Sequence, residues 1–99
     1  MKSKAKIMVE FQRVSSQSKK LGQCADDMKR LRKELDAIVD DLCAGWAGES
    51  ANLYFQKCWE LSEKMKRSER DLDKISDVIY RSAKVYRDAE LAAIQLAQD

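Results

Sequence analysis

Ile7, Val14, Leu21, Met28, Leu35 and Leu42 recur at every seventh position without a miss, and the chain contains no proline to interrupt them. Joined by Phe11, Ala25, Leu31 and Ile38 at intervening positions three or four residues away, they form one apolar stripe on an α-helix. Downstream, Met65, Leu72, Ile79, Tyr86 and Ala93 repeat the spacing, with Leu61, Ile75, Ala89 and Leu96 between them and with Ser68 and Ser82 at seam positions where a neighbouring helix can approach closely. Gly45 and Gly48 form the only break near the middle. Gly45 suits the left-handed residue that ends a helix, and Gly48-Glu49-Ser50 supplies a capping residue and an acid for the positive start of the next one. The pattern therefore predicts a single all-α domain, an antiparallel two-helix hairpin with a first helix over about 5–43, a turn at about 44–49 and a second helix over about 50–96.

At about 1.5 Å per residue the first helix would be ~60 Å long, a rod with no closed core of its own. The expected seam residues are Ile7, Phe11, Val14, Leu21, Met28, Leu31, Leu35, Ile38, Leu42, Phe55, Leu61, Met65, Leu72, Ile75 and Ile79, serving the hairpin and its dimer. Leu53, Trp59, Val78, Val85 and Leu91 point off that stripe and call for more protein, so a dimer forming an elongated four-helix bundle is expected.

Composition narrows the function. Lys plus Arg number 19 against 17 Asp plus Glu, and a formal charge of +2 argues against a nucleic-acid surface. No apolar run is long enough to cross a bilayer, and the opening Met1-Lys2-Ser3-Lys4 leads into Val9-Glu10 and Gln12-Arg13 rather than an apolar core, so no Sec-type signal peptide is expected. Cys24, Cys43 and Cys58 lie at no metal-ligand spacing and there is no histidine. They read as small buried thiols, with no disulfide and no zinc site expected. No nucleophile stands beside a base, Asp26-Asp27 and Asp40-Asp41 diverge on a helix, and no glycine-rich phosphate loop is present, so neither an enzyme nor a cofactor site is expected.

The turn reads Ala44-Gly45-Trp46-Ala47-Gly48-Glu49-Ser50-Ala51, with Phe55 four residues on. At the midpoint of a chain of this length, between two heptad-patterned helices, Trp46-x-Gly48 resembles the WXG family of ESAT-like proteins, whose mark is followed by Ala and Phe at the spacing of Ala51 and Phe55. Tyr86, followed by Glu90, resembles the family's C-terminal Tyr-x-x-x-Asp/Glu, and on a helix the two share a face. The resemblance covers essentially the whole chain. It implies leaderless export from a Gram-positive-type bacterium by a type VII secretion system, as a folded dimer that ends outside the cell or on its surface. Tyr86 and Glu90 would form part of an export signal read by an FtsK/SpoIIIE-like ATPase. By periodicity alone Tyr86 is a core residue, and Trp46 equally reads as a cap on the apolar end of the hairpin.

In an antiparallel dimer one protomer's Trp46-x-Gly48 would lie beside the other's Tyr86 and Glu90, a composite signal present only in the assembled form. A homodimer is expected, because the first seam is complete and the charge is too small for self-repulsion. The alternatives are a heterodimer with another WXG-type protein, a partner of the helical N-terminal domain of a larger toxin, and an intracellular coiled-coil module. Virulence and interbacterial competition both remain open as roles after export.

Overall fold

The computed structural model describes residues 2–98. The chain is an all-α hairpin of two long helices, α1 (Lys4–Gly45) and α2 (Glu49–Gln98), packed against each other, with no strand among the described residues. Ser3 caps α1: its hydroxyl oxygen accepts from the Lys6 N–H at 3.2 Å and its carbonyl from the Ile7 N–H at 3.1 Å. The Lys6 contact satisfies one of the donors that the first turn of a helix leaves without an intrahelical partner, and the Ile7 contact is the first backbone bond of the helical ladder.

At the turn the expected role of Gly45 passes to Gly48. Gly45 stays inside α1, whereas Gly48 has φ 126°, a conformation that strains any residue with a Cβ. The reason is its place at the start of α2. Gly48 redirects the chain while its carbonyl accepts the Asn52 N–H at 3.0 Å, and Glu49 sets a negative charge in the positive first turn. A Cβ built on either glycine meets nothing within 4 Å, so the requirement at Gly48 is one of backbone and not of space.

The chain divides into two compact units, each holding an antiparallel piece of both helices. Among the described residues, the first comprises 2–22 and 73–98. Ile7 and Ser18 are buried in it, and the Ser76 hydroxyl donates to the Ser18 carbonyl at 2.6 Å. A Cβ on Gly22 would stand 3.4 Å from Ser76 Oγ, so the helices approach closely there. Phe11 packs against Tyr80 at 6.2 Å between ring centroids and lies under the Arg87 guanidinium at 4.3 Å.

The second unit, residues 23–72, buries Ala25, Val39, Ala51 and Phe55. Val39, Ala51 and Phe55 form one cluster, against which Leu35 and Cys58 pack. Ser62 and Glu69 are buried here as well. The Arg32 guanidinium meets the Glu69 carboxylate through Nε at 2.7 Å and Nη2 at 3.3 Å, with only 13% and 10% of the two side chains exposed. These hydrogen bonds, and then the nearby carboxylate charges, raise the Arg32 pKa above its ordinary value.

Among the expected seam residues, Ile7 and Phe55 are buried, while Phe11, Leu21, Met28, Leu35, Met65, Leu72 and Ile79 are half-buried. Val14, Leu31, Ile38, Leu42, Leu61 and Ile75 are exposed on the single chain. A heptad apolar residue has neighbours on the same stripe at both three and four positions, and apolar periodicity does not choose between them. The helices bury mainly the other choice, the rows containing Ser18, Ala25, Arg32 and Val39 on α1 and Phe55, Ser62, Glu69 and Ser76 on α2. Ser68 and Ser82, expected at the seam, are exposed for that reason. Cys24 and Cys43 are exposed rather than buried, and all three cysteines are free. Leu53, Trp59, Val78 and Val85 are exposed, but Leu91 is half-buried.

Candidate functional site

Two groups of residues carry the motifs, one in each unit. At the turn, Trp46 leaves α1 and lies over the opening turns of α2. It stacks on Tyr54 at 5.9 Å with an interplanar angle of 23° and meets Phe55 edge-on at 5.8 Å and 84°. Phe55 in turn contacts Trp59 at 6.4 Å. Offset and edge-to-face aromatic pairs of this kind add to area burial. Trp46 thus covers the apolar end of the second unit, yet it stays 44% exposed and leaves an aromatic face at the surface beside Tyr54 and Trp59. Phe55 links that face to the buried cluster of Val39 and Ala51.

In the first unit Tyr86 and Glu90 line a common groove of about 440 Å³, whose walls include Ile7, Phe11, Val14, Val78, Ile79 and Ala83. They are presented differently. Tyr86, expected from periodicity to be core, is 71% exposed, because the buried row passes beside it. The Glu90 side chain is only 32% exposed, and its Oε1 lies 3.5 Å from Lys2 Nζ. The same ammonium donates to Glu10 Oε2 at 2.7 Å. That hydrogen bond is the main cause of a raised Lys2 pKa, against a smaller desolvation effect and aided by the Glu10 and Glu90 charges. It likewise lowers the Glu10 pKa.

Sequence periodicity did not single out Lys2, Glu10, Arg87, Tyr54 or the Arg32–Glu69 pair. For that pair a signal existed: Arg32 lies seven residues from both Ala25 and Val39, and Glu69 lies seven from Ser62. A charge in a row of small and apolar residues calls for an opposite charge on the facing row. For Lys2 there was none, since its position outside α1 follows from the Ser3 cap. Among the described residues no group of His, Cys, Asp or Glu is arranged to hold a metal ion, and no helix is long and apolar enough to cross a membrane.

Neither the curated proteins nor the solved structures include a match to this chain. The model of the WXG100 family, described as proteins of 100 residues with WXG, matches residues 6–91 and so spans both the Trp46-x-Gly48 turn and the Tyr86–Glu90 segment. Proteins of that family are small, helical and secreted, typically dimeric and handled by type VII machinery. With its hairpin of two long helices joined at Trp46-x-Gly48, the chain belongs to the WXG100 family, of the type VII secretion substrate class.

Proposed function

We propose that the chain is exported as a folded homodimer whose signal is bipartite, combining the Trp46-x-Gly48 turn with Tyr86 and Glu90, and that an FtsK/SpoIIIE-like ATPase reads it. The observation that carries this reading is the exposure of Tyr86 next to a Glu90 that lines the same groove, on a chain with much apolar surface still uncovered. In the first unit α2 exposes Ile75, Val78, Val85 and Leu96. Ser82 and Ala89 continue the three-and-four spacing between them. In the second unit α1 exposes Leu31, Ile38 and Leu42. Stripes of this kind are what a second hairpin covers in a four-helix bundle, and contiguous apolar surface left open favours association.

An antiparallel pairing supplies the second half of the signal, since it sets one protomer's turn beside the partner's Tyr86 segment. The export machinery would then select assembled protein over free chains. Mass spectrometry of culture supernatant and cell pellet, with a cytoplasmic marker to exclude lysis, tests the export reading. Wild-type chain outside and a folded, dimeric Glu90→Ala chain retained inside is the expected result. Wild type confined to the pellet would favour an intracellular interaction module. Light scattering that finds a monomer would favour a partner role with another helical hairpin, such as the N-terminal domain of a larger toxin. A Trp46→Ala chain that dimerises and leaves the cell at wild-type levels would refute the composite signal.

A further inference from the structure

We propose that Lys2 is an intramolecular clasp that occupies the Glu90 carboxylate, so that a cationic side chain of the export receptor must displace it before the signal is read. The inference rests on the reading of Glu90 as a signal residue and adds a control on its availability. It begins with the Ser3 cap. Because Ser3 closes the first turn of α1, Lys2 lies just outside the helix, and its side chain reaches both α1, at Glu10, and α2, at Glu90. One ammonium therefore faces two carboxylates, at 2.7 Å and 3.5 Å.

Glu10 and Glu90 line the same groove from opposite helices, and the cation between them offsets their mutual repulsion. Glu10 makes the shorter contact and so anchors Lys2, leaving the weaker, longer contact to Glu90 as the one that exchanges. Tyr86 remains exposed throughout, which makes the two signal residues unequal: the ring is displayed and the carboxylate is engaged. A receptor presenting an aromatic-binding surface with an arginine beside it would meet Tyr86 first and then compete for Glu90. Arginine suits the exchange, because its planar fork can hold both carboxylate oxygens where the lysine ammonium acts as a point charge.

Both side chains of the pair keep contact with solvent, 43% of Lys2 and 32% of Glu90, so the clasp modulates rather than locks. Exposed ion pairs of this type correspond to changes of about two- to fivefold in an equilibrium. Two measurements on the full chain test the proposal. Zero-length carbodiimide coupling followed by peptide mass spectrometry should join Lys2 to Glu10 and to Glu90; coupling to neither carboxylate, or to Glu10 alone, would overturn the clasp. In the second, supernatant-to-pellet ratios are compared for wild type, Lys2→Gln, Lys2→Arg, Glu90→Gln and the Lys2→Gln/Glu90→Gln double variant, with circular dichroism to verify folding.

Lys2→Gln should raise early export about two- to fivefold, Lys2→Arg should keep the clasp and export no faster than wild type, and the double variant should match Glu90→Gln in being retained. If Lys2→Gln is exported at the wild-type rate while Glu90→Gln is retained, the clasp is refuted and the signal stands. Reduced export of Lys2→Gln would refute it too, making Lys2 part of the signal. If Glu90→Gln is exported normally, the export reading of Glu90 fails, and the gating role of Lys2 fails with it.

Discussion

Truncating Phe55 to alanine should be among the most damaging single changes in the second unit. Phe55 retains 4% of its exposure, contacts Val39 and Ala51 in the buried cluster, and has Trp46 edge-on and Trp59 tilted against its ring. Removing the ring returns roughly 100 Å² of apolar area, about 2.5–3 kcal/mol at 25–30 cal/mol per Å². Loss of the two aromatic contacts adds on the order of 0.5–1.5 kcal/mol each, while partial collapse of Trp46 into the gap recovers some of it. A net loss of about 3 kcal/mol is expected, at the lower end of the usual range for such truncations. For a chain of this size that lowers Tm by roughly 12–24 °C. Thermal melts followed by far-ultraviolet circular dichroism, at one fixed concentration because association stabilises the folded form, measure it. Trp59→Ala, at an exposed edge of the cluster, serves as the control and should cost far less. A fall of less than about 4 °C for Phe55→Ala, corresponding to about 1 kcal/mol, would show that the cluster does not hold the turn end together.

The two turn glycines should respond oppositely to alanine: Gly48→Ala destabilises by about 1–2 kcal/mol because its φ is positive, whereas Gly45→Ala, helical and unobstructed, stabilises by up to about 1 kcal/mol. Chemical denaturation of the two variants decides this. Arg32→Ala strands the buried Glu69 carboxylate and should lower Tm well beyond Arg30→Ala, whose pairing with Asp27 is exposed. Because Glu10 titrates below its ordinary value in the folded chain, its contact with Lys2 contributes above the ordinary glutamate range and is lost as pH falls through the depressed value. Carboxyl-carbon NMR should find Glu10 titrating at lower pH in wild type than in Lys2→Gln.

The two helices and their meeting point at Trp46-x-Gly48 were legible because unbroken heptad spacing, the lack of proline and a pair of central glycines all act locally along the chain. The buried face was less so. Leu31 and Ile38 satisfy helical periodicity as well as Arg32 and Val39 do, and only the facing helix decides between them, by offering Glu69 to Arg32 and Phe55 to Val39. Tyr86 follows the same logic, since its heptad neighbours are apolar and its exposure arises from which side of α1 lies opposite. Gly45 and Gly48 are equally good candidates for a left-handed residue by composition, and the onset of α2 selects the second. The engagement of Glu90 depends on a lysine far away in sequence, brought near by the hairpin and aimed by a serine cap.

The polar residues inside the hairpin also remove an ambiguity that heptad sequences carry. Two helices with a strict seven-residue repeat can slide past each other by one heptad and still bury apolar surface, as uniform coiled coils do when their register is undetermined. In this chain a one-heptad slip would place Arg32 opposite Ser62 in place of Glu69, leaving a buried guanidinium and a buried carboxylate each without its counterpart. The mismatch penalises the slipped pairing far more than the native pairing gains from its ion pair. A single arginine and glutamate thereby act as an index mark that selects one pairing of the two helix segments within the second unit.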